Sequence, residues 1–131
     1  MKKFIKIVTD ILLVIVLVMA AVLYIPRLMG LKTYKVLSGS MEPEYHVGSV
    51  VYVEKSLIDD IEHNTPESSV ITFYINDNTV VTHRVVDKDD DTESFRTKGD
   101  ANEIEDGGSV AYDKVVGKVV LNVPYLGYIL R

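Results

Sequence analysis

The chain has 131 residues, 14 Lys+Arg against 19 Asp+Glu, no cysteine and no tryptophan. That length fits one domain with an added membrane element but not two full-sized domains, and the missing cysteine excludes a disulfide framework, thiolate metal sites and a Cys nucleophile. The net charge of −5 argues against a general nucleic-acid binder, which needs a basic face.

The charge is split. Residues 1–35 carry six basic side chains and one acid, and residues 36–131 carry eight basic and eighteen acidic ones, so the two parts stand at +5 and −10. Residues 11–25, ILLVIVLVMAAVLYI, contain no charge and no strong helix breaker. At ~1.5 Å per residue this run covers roughly 22 Å, short of the ~30 Å hydrocarbon core of a bilayer. Extension back to Ile5 or on to Leu31 closes the gap, with Lys6 and Arg27 reaching for the two interfaces. A cleavable signal peptide also has a Lys-rich start, and Val18-Met19-Ala20 resembles a small-residue cleavage site. The apolar run continues past that site, which favours an uncleaved anchor over residues 1–33. Lys2, Lys3 and Lys6 on one side nearly balance Arg27, Lys32 and Lys35 on the other, so charge favours a cytoplasmic N-terminus only slightly.

The second region, residues 34–131, predicts a mostly β domain. Residues 49–54 (SVVYVE), 70–75 (VITFYI), 80–86 (VVTHRVV), 94–97 (SFRT) and 115–121 (VVGKVVL) have strand composition. Asn76-Asp77-Asn78 predicts a hairpin turn, residues 56–69 with Pro66 a loop, and residues 87–91 (DKDDD) an acidic tip. No segment of useful length has a helical period.

Three stretches could carry chemistry. Ser38-Gly39-Ser40-Met41-Glu42-Pro43 is loop-forming, but Gly39 would let a substrate approach and present Ser40 as a nucleophile, provided that a base is in reach. Alternation along residues 80–86 puts Val81, His83 and Val85 on one face, read as the apolar side, and Val80, Thr82, Arg84 and Val86 on the other. A histidine there is either a satisfied core residue or a rigidly held base. His46 and His63 fall in turn or loop contexts and read as surface residues. Residues 99–108 (GDANEIEDGG) form an acidic, glycine-bounded loop. Its spacing does not fit a calcium loop, and neither does that of residues 87–98, because Thr92 stands where the sharp-turn glycine belongs. No metal or other cofactor is expected. One acid of the 99–108 loop could instead orient an imidazole.

In this order the stretches resemble type I signal peptidase, specifically the archaeal and endoplasmic-reticulum type that includes the SipW-like bacterial enzymes. The resemblance rests on SGSMEP, His83-Arg84-Val85 and Thr97-Lys98-Gly99-Asp100-Ala101-Asn102, and runs from Val36 to about Gly127. It implies a small signal-peptidase-like β fold behind one N-terminal transmembrane helix. It makes Ser40 the nucleophile, His83 the general base, Asp106 the catalytic acid and Asp100 a second, supporting acid. It also gives Ser38 a part in the oxyanion hole and places Met41 as the hydrophobic neighbour of the nucleophile. The implied enzyme is a membrane-bound serine endopeptidase that removes signal peptides from secreted preproteins after small residues. It would span the cell membrane once, with its catalytic domain on the outer face, or on the lumenal face of the reticulum in a eukaryote. Expected partners are preproteins and the lipid bilayer, with no nucleic acid and an accessory subunit left open.

Departures from the pattern fall at Gly48-Ser49, where many relatives have Gly-Asp, at residues 64–69, and at Leu130-Arg131, where many relatives continue into a second span. Two other readings share the architecture: a non-catalytic anchored β module, and a Ser/Lys hydrolase using Lys98 or Lys55.

Overall fold

The computed structural model describes residues 1–63 and 68–129, so Pro66, most of the departure at residues 64–69, and the Leu130-Arg131 end lie outside it. The chain divides into two units, Met1–Leu31 and Lys32–Arg131.

The first unit is one helix, α1 (Lys2–Leu28). It is longer than the uncharged run, because Lys2 to Asp10 also favour helix and Pro26 stands near the end of the element. Its 27 residues span about 40 Å, and it is long and apolar enough to cross a membrane. Ile11 to Val18 are all more than half exposed, as expected of a helix whose apolar surface has no protein to cover it.

The second unit is a seven-stranded sheet: β1 (Lys32–Lys35), β2 (Val50–Glu54), β3 (Val70–Asn76), β4 (Thr79–Asp89), β5 (Ser94–Lys98), β6 (Val110–Ala111) and β7 (Val115–Val123). Its order is β1-β2-β7-β3-β4-β5-β6, and every pairing is antiparallel. All five expected strands are present to within a few residues, and the Asn76 turn joins β3 to β4. β1 and β6 are too short and too mixed to stand out in the sequence.

The acidic tip is a correction. Asp87, Lys88 and Asp89 belong to β4, and the turn falls beyond them, with Glu93 at φ 50°. Cross-strand pairing explains the tolerance. Asp87 lies opposite Arg96 and forms an ion pair with it at 2.7 Å, while Lys88 reaches Asp59 at 3.2 Å and Asp90 at 3.4 Å.

Alternation along β3 and β4 places Ile71, Phe73 and Val85 in one core with Ile61, Phe95 and Val110. β2 behaves differently. Val50, Val51, Tyr52 and Val53 are all at most 2% exposed, so the strand between β1 and β7 is covered on both faces. One feature of the sheet positions the site. β5 pairs with residues 84–89 of β4, so the 79–83 half has a ladder partner only in β3 among the described residues.

Candidate active site

Ser40 sits in a single 3-10 turn, Gly39–Met41, entered from an extended Ser38. Met41 anchors the turn: it is 2% exposed, and its sulfur accepts the Asp100 N–H at 3.4 Å. The Ser40 carbonyl accepts the Ala101 N–H at 2.9 Å, so the Ser40 turn and the 99–102 turn are stitched together. The hydroxyls of Ser38 and Ser40 lie 3.1 Å apart.

His83 projects from the half of β4 whose ladder partner among the described residues is β3 alone, and it is 8% exposed, with Phe73 edge-on at 6.4 Å. Its Nε2 lies 3.1 Å from Ser40 Oγ and its Nδ1 lies 2.6 Å from Asp106 Oδ2. An ionised Asp106 can only accept, so Nδ1 carries the proton and donates it, which leaves the Nε2 lone pair to accept the Ser40 O–H. These partners are 43 and 23 residues apart in sequence.

Asp106 is held in its turn. Thr97, fully buried in β5, donates its hydroxyl to the same Oδ2 at 2.6 Å, and the Asp106 N–H donates to the Thr97 carbonyl at 2.9 Å. Asp100 is spent differently. Its two oxygens accept a bidentate fork from Arg84, at 2.9 Å from Nε and 2.8 Å from Nη2, while Nη1 donates to the Ser68 carbonyl at 2.6 Å. The hydrogen bonds to Asp100 raise the pKa of Arg84 further, with burial working against them. Asp100 therefore ties β4 to the turn that grips Ser40, and its carboxylate is committed to the guanidinium.

Gly99 marks the tightest contact. A Cβ there would lie 2.6 Å from the Ser40 carbonyl oxygen, 2.7 Å from Asn102 Nδ2 and 3.2 Å from His83 Nε2. The sequence names Thr97, Gly99 and Arg84 as motif residues but assigns them no part in the site. Thr97 and Gly99 lie inside the Thr97–Asn102 motif and Arg84 adjoins His83, so the signal was proximity to the motifs. His46 is exposed and bound to Glu42, and His63 lies in the segment before the undescribed residues, so neither joins the array. Lys98 donates to the Gly99 carbonyl at 3.2 Å. Lys55 lines a separate polar depression with Glu54 and Lys118.

A cleft of about 320 Å³ opens beside Ser40, lined by residues 34–38 and by residues 80–83 of β4. No cluster of His, Asp and Glu able to hold a metal occurs among the described residues.

A serine hydroxyl, a buried imidazole and a carboxylate in line, on a small antiparallel β domain beside an open cleft, define the serine hydrolase class of geometry. No family model matches the chain. It is 37% identical over 123 residues to Signal peptidase I W of Bacillus subtilis (strain 168), covering 84% of this chain and 63% of that protein. It is 31% identical over 105 residues to the Signal peptidase complex catalytic subunit SEC11C of Homo sapiens, covering 72% of this chain and 53% of the relative. The SEC11 subunit of Fusarium vanettenii matches at the same identity, with 59% of its length covered. The chain is thus similar to type I signal peptidases of the SipW-like and endoplasmic-reticulum type, and spans between about half and two thirds of the length of these curated relatives.

Proposed function

We propose that this protein is a membrane-anchored serine endopeptidase that cleaves signal peptides from preproteins after small residues. The observation that carries the reading is the continuous hydrogen-bonded line from Ser40 through His83 to Asp106 at the lip of the cleft. The names of the relatives support the same activity over a non-catalytic module.

In this mechanism the substrate enters the cleft extended. The backbone of residues 79–83, lacking a ladder partner on that side, offers it a strand edge. Ser40 Oγ attacks the scissile carbonyl carbon while His83 Nε2 takes its proton, giving a tetrahedral oxyanion and an imidazolium that Asp106 stabilises. The Ser40 N–H and the Ser38 hydroxyl are the donors for the oxyanion. His83 then returns the proton to the leaving amine, and a water activated by the same imidazole releases the acyl group from Ser40. A Lys-based mechanism is disfavoured because Ser40 Oγ already faces His83, while the Lys98 ammonium is engaged by a backbone carbonyl.

The helix gives this chemistry its place. Residues 1–31 form the anchor, with the N-terminus cytoplasmic, and residues 32–131 work on the outer or lumenal face. A preprotein held in the bilayer by its own apolar segment then shares two dimensions with the enzyme, which raises the effective concentration of the cut site.

The test is incubation of the detergent-solubilised protein with a labelled preprotein, in wild-type, Ser40→Ala and His83→Ala forms. Cleavage after a small residue by the wild type alone supports the reading. Full processing by His83→Ala would sink the histidine-based mechanism, and equal processing by Ser40→Ala would sink the activity itself.

A further inference from the structure

Asp106 lies between β5 and β6, outside any helix or strand. Its position therefore depends on individual contacts rather than on a ladder. Its side chain is 28% exposed, and a pocket of about 250 Å³ lined by Phe73, Val81, His83, Thr97 and Asp106 borders the carboxylate. A carboxylate with open space beside it can turn about its side-chain bonds, so a second contact is needed to hold Oδ2 toward the imidazole.

Thr97 supplies that contact through both its main chain and its side chain. Its carbonyl accepts the Asp106 N–H at 2.9 Å and its hydroxyl donates to Oδ2 at 2.6 Å, so backbone and carboxylate of Asp106 are pinned to one residue. Thr97 has little freedom of its own. It is fully buried and stands in the ladder opposite Val85, which shares a face of β4 with His83. A side chain branched at Cβ is stiff about χ1, so the hydroxyl is aimed by the strand. The register of β4 against β5 thus fixes the base and the donor that aims the acid in one frame. His83 Nδ1 and Thr97 Oγ1 meet on the same oxygen, each at 2.6 Å.

The consequence is a choice of tautomer. A neutral imidazole carries one proton, on Nδ1 or on Nε2. With Oδ2 held in place, Nδ1 has an acceptor and keeps the proton, and Nε2 presents its lone pair to Ser40 Oγ at 3.1 Å. With the carboxylate turned away, the proton is free to sit on Nε2. There it points at Ser40 Oγ, and the ring can donate to the hydroxyl but cannot take its proton.

We propose that Thr97 is a positioning residue of the site: acting through Asp106, its hydroxyl keeps the His83 proton on Nδ1 and so keeps Nε2 able to accept the Ser40 proton. The proposal rests on the reading of His83 as the base and Asp106 as its partner, and it adds a residue that touches neither the substrate nor the reacting atoms.

The experiment uses the full chain in detergent, isotope-labelled at the histidine ring nitrogens and held at alkaline pH, where imidazole is neutral. Nuclear magnetic resonance separates a ring nitrogen that bears hydrogen from one that does not, and the His83 signals are assigned by their loss in His83→Asn. Wild type and Thr97→Ser, which keeps the hydroxyl, should carry the proton on Nδ1. Thr97→Val, which keeps the shape and loses the hydroxyl, should show the Nε2-protonated form. Thr97→Ala, which also lacks the hydroxyl and takes less space, carries the same comparison if the valine variant misfolds. Hydrolysis of a preprotein peptide reads the consequence: kcat of Thr97→Val should fall by on the order of 10–10²-fold with KM within about twofold, and Thr97→Ser should recover most of the loss. A merely structural role would lower the melting temperature and leave the tautomer alone. A folded variant without the hydroxyl that keeps its proton on Nδ1 overturns the proposal whatever its rate, and so does a wild type protonated on Nε2. If the wild type cleaves nothing, the peptidase reading fails, and the tautomer still decides the part of Thr97.

Discussion

Gly99→Ala tests whether catalysis depends on the packing of the 99–102 turn against Ser40. The added methyl carbon would sit 2.6 Å from the Ser40 carbonyl oxygen, about 0.8 Å inside ordinary van der Waals contact. It would also press on Asn102 at 2.7 Å and crowd His83 Nε2 at 3.2 Å. The carbonyl is backbone and already accepts the Ala101 N–H, so it has no rotamer to escape through. The relief is a shift of the nucleophile turn or of the imidazole by several tenths of an ångström, which stretches a Ser40–His83 contact that starts at 3.1 Å. Overpacking of this kind costs about 1–3 kcal/mol of stability. Misplacement of a reacting group by ~1 Å costs on the order of 10²-fold in rate. The expected result is a fall in kcat of roughly that size in a protein that still folds, followed by hydrolysis of a preprotein peptide alongside a thermal melt. A Gly99→Ala protein that cleaves within about twofold of wild type would refute the claim that this contact positions the nucleophile.

Ser38→Ala should lower kcat by on the order of 10²–10³ while leaving some cleavage, because one of two oxyanion donors remains; loss no greater than threefold would remove Ser38 from that role. Arg84→Lys cannot reproduce the bidentate grip on Asp100, and it should cost about 1–3 kcal/mol and lower kcat through the loosened 99–102 turn. An unchanged melting temperature and rate would mean that the ion pair does not brace the site. Tyr112 reports on the opposite corner, where desolvation, followed by its hydrogen bond to Asp90, raises its pKa from 10.0 to about 12. A phenol that ionises later in the folded state stabilises the fold below its unfolded pKa and loses that contribution as pH rises through the folded one. Wild type should therefore lose more melting temperature than Tyr112→Phe between about pH 10 and 12, and parallel curves would contradict the shift.

Much of this molecule is legible without coordinates, because much of it is local. An uncharged run over residues 11–25 can only be a helix in an apolar setting, since every backbone polar group must be satisfied within the segment. Strict alternation over residues 80–86 sets which face His83 takes, and the structure keeps that face. β-branched and aromatic residues mark the five longer strands, whereas β1 and β6 owe their form to their neighbours rather than to their own composition. Asp87 to Asp89 looked like a solvated tip because a single strand cannot reveal that Arg96 will stand opposite.

The site divides along the same line. Residue types put forward Ser40, His83 and one unspecified acid of the 99–108 loop, and only the resemblance named Ser38, Asp100 and Asp106 with their parts. The folded chain puts Asp106 on His83, and it alone gives Asp100 to Arg84, adds Thr97 behind Asp106, and makes Gly99 the point where a side chain has no space. Those assignments depend on how residues 99–106 return to β5 and against the Ser40 turn. A sequence displays chemistry and period, both of which are local. Which oxygen meets which nitrogen is decided by contacts between segments dozens of residues apart, and these exist only once the sheet has closed.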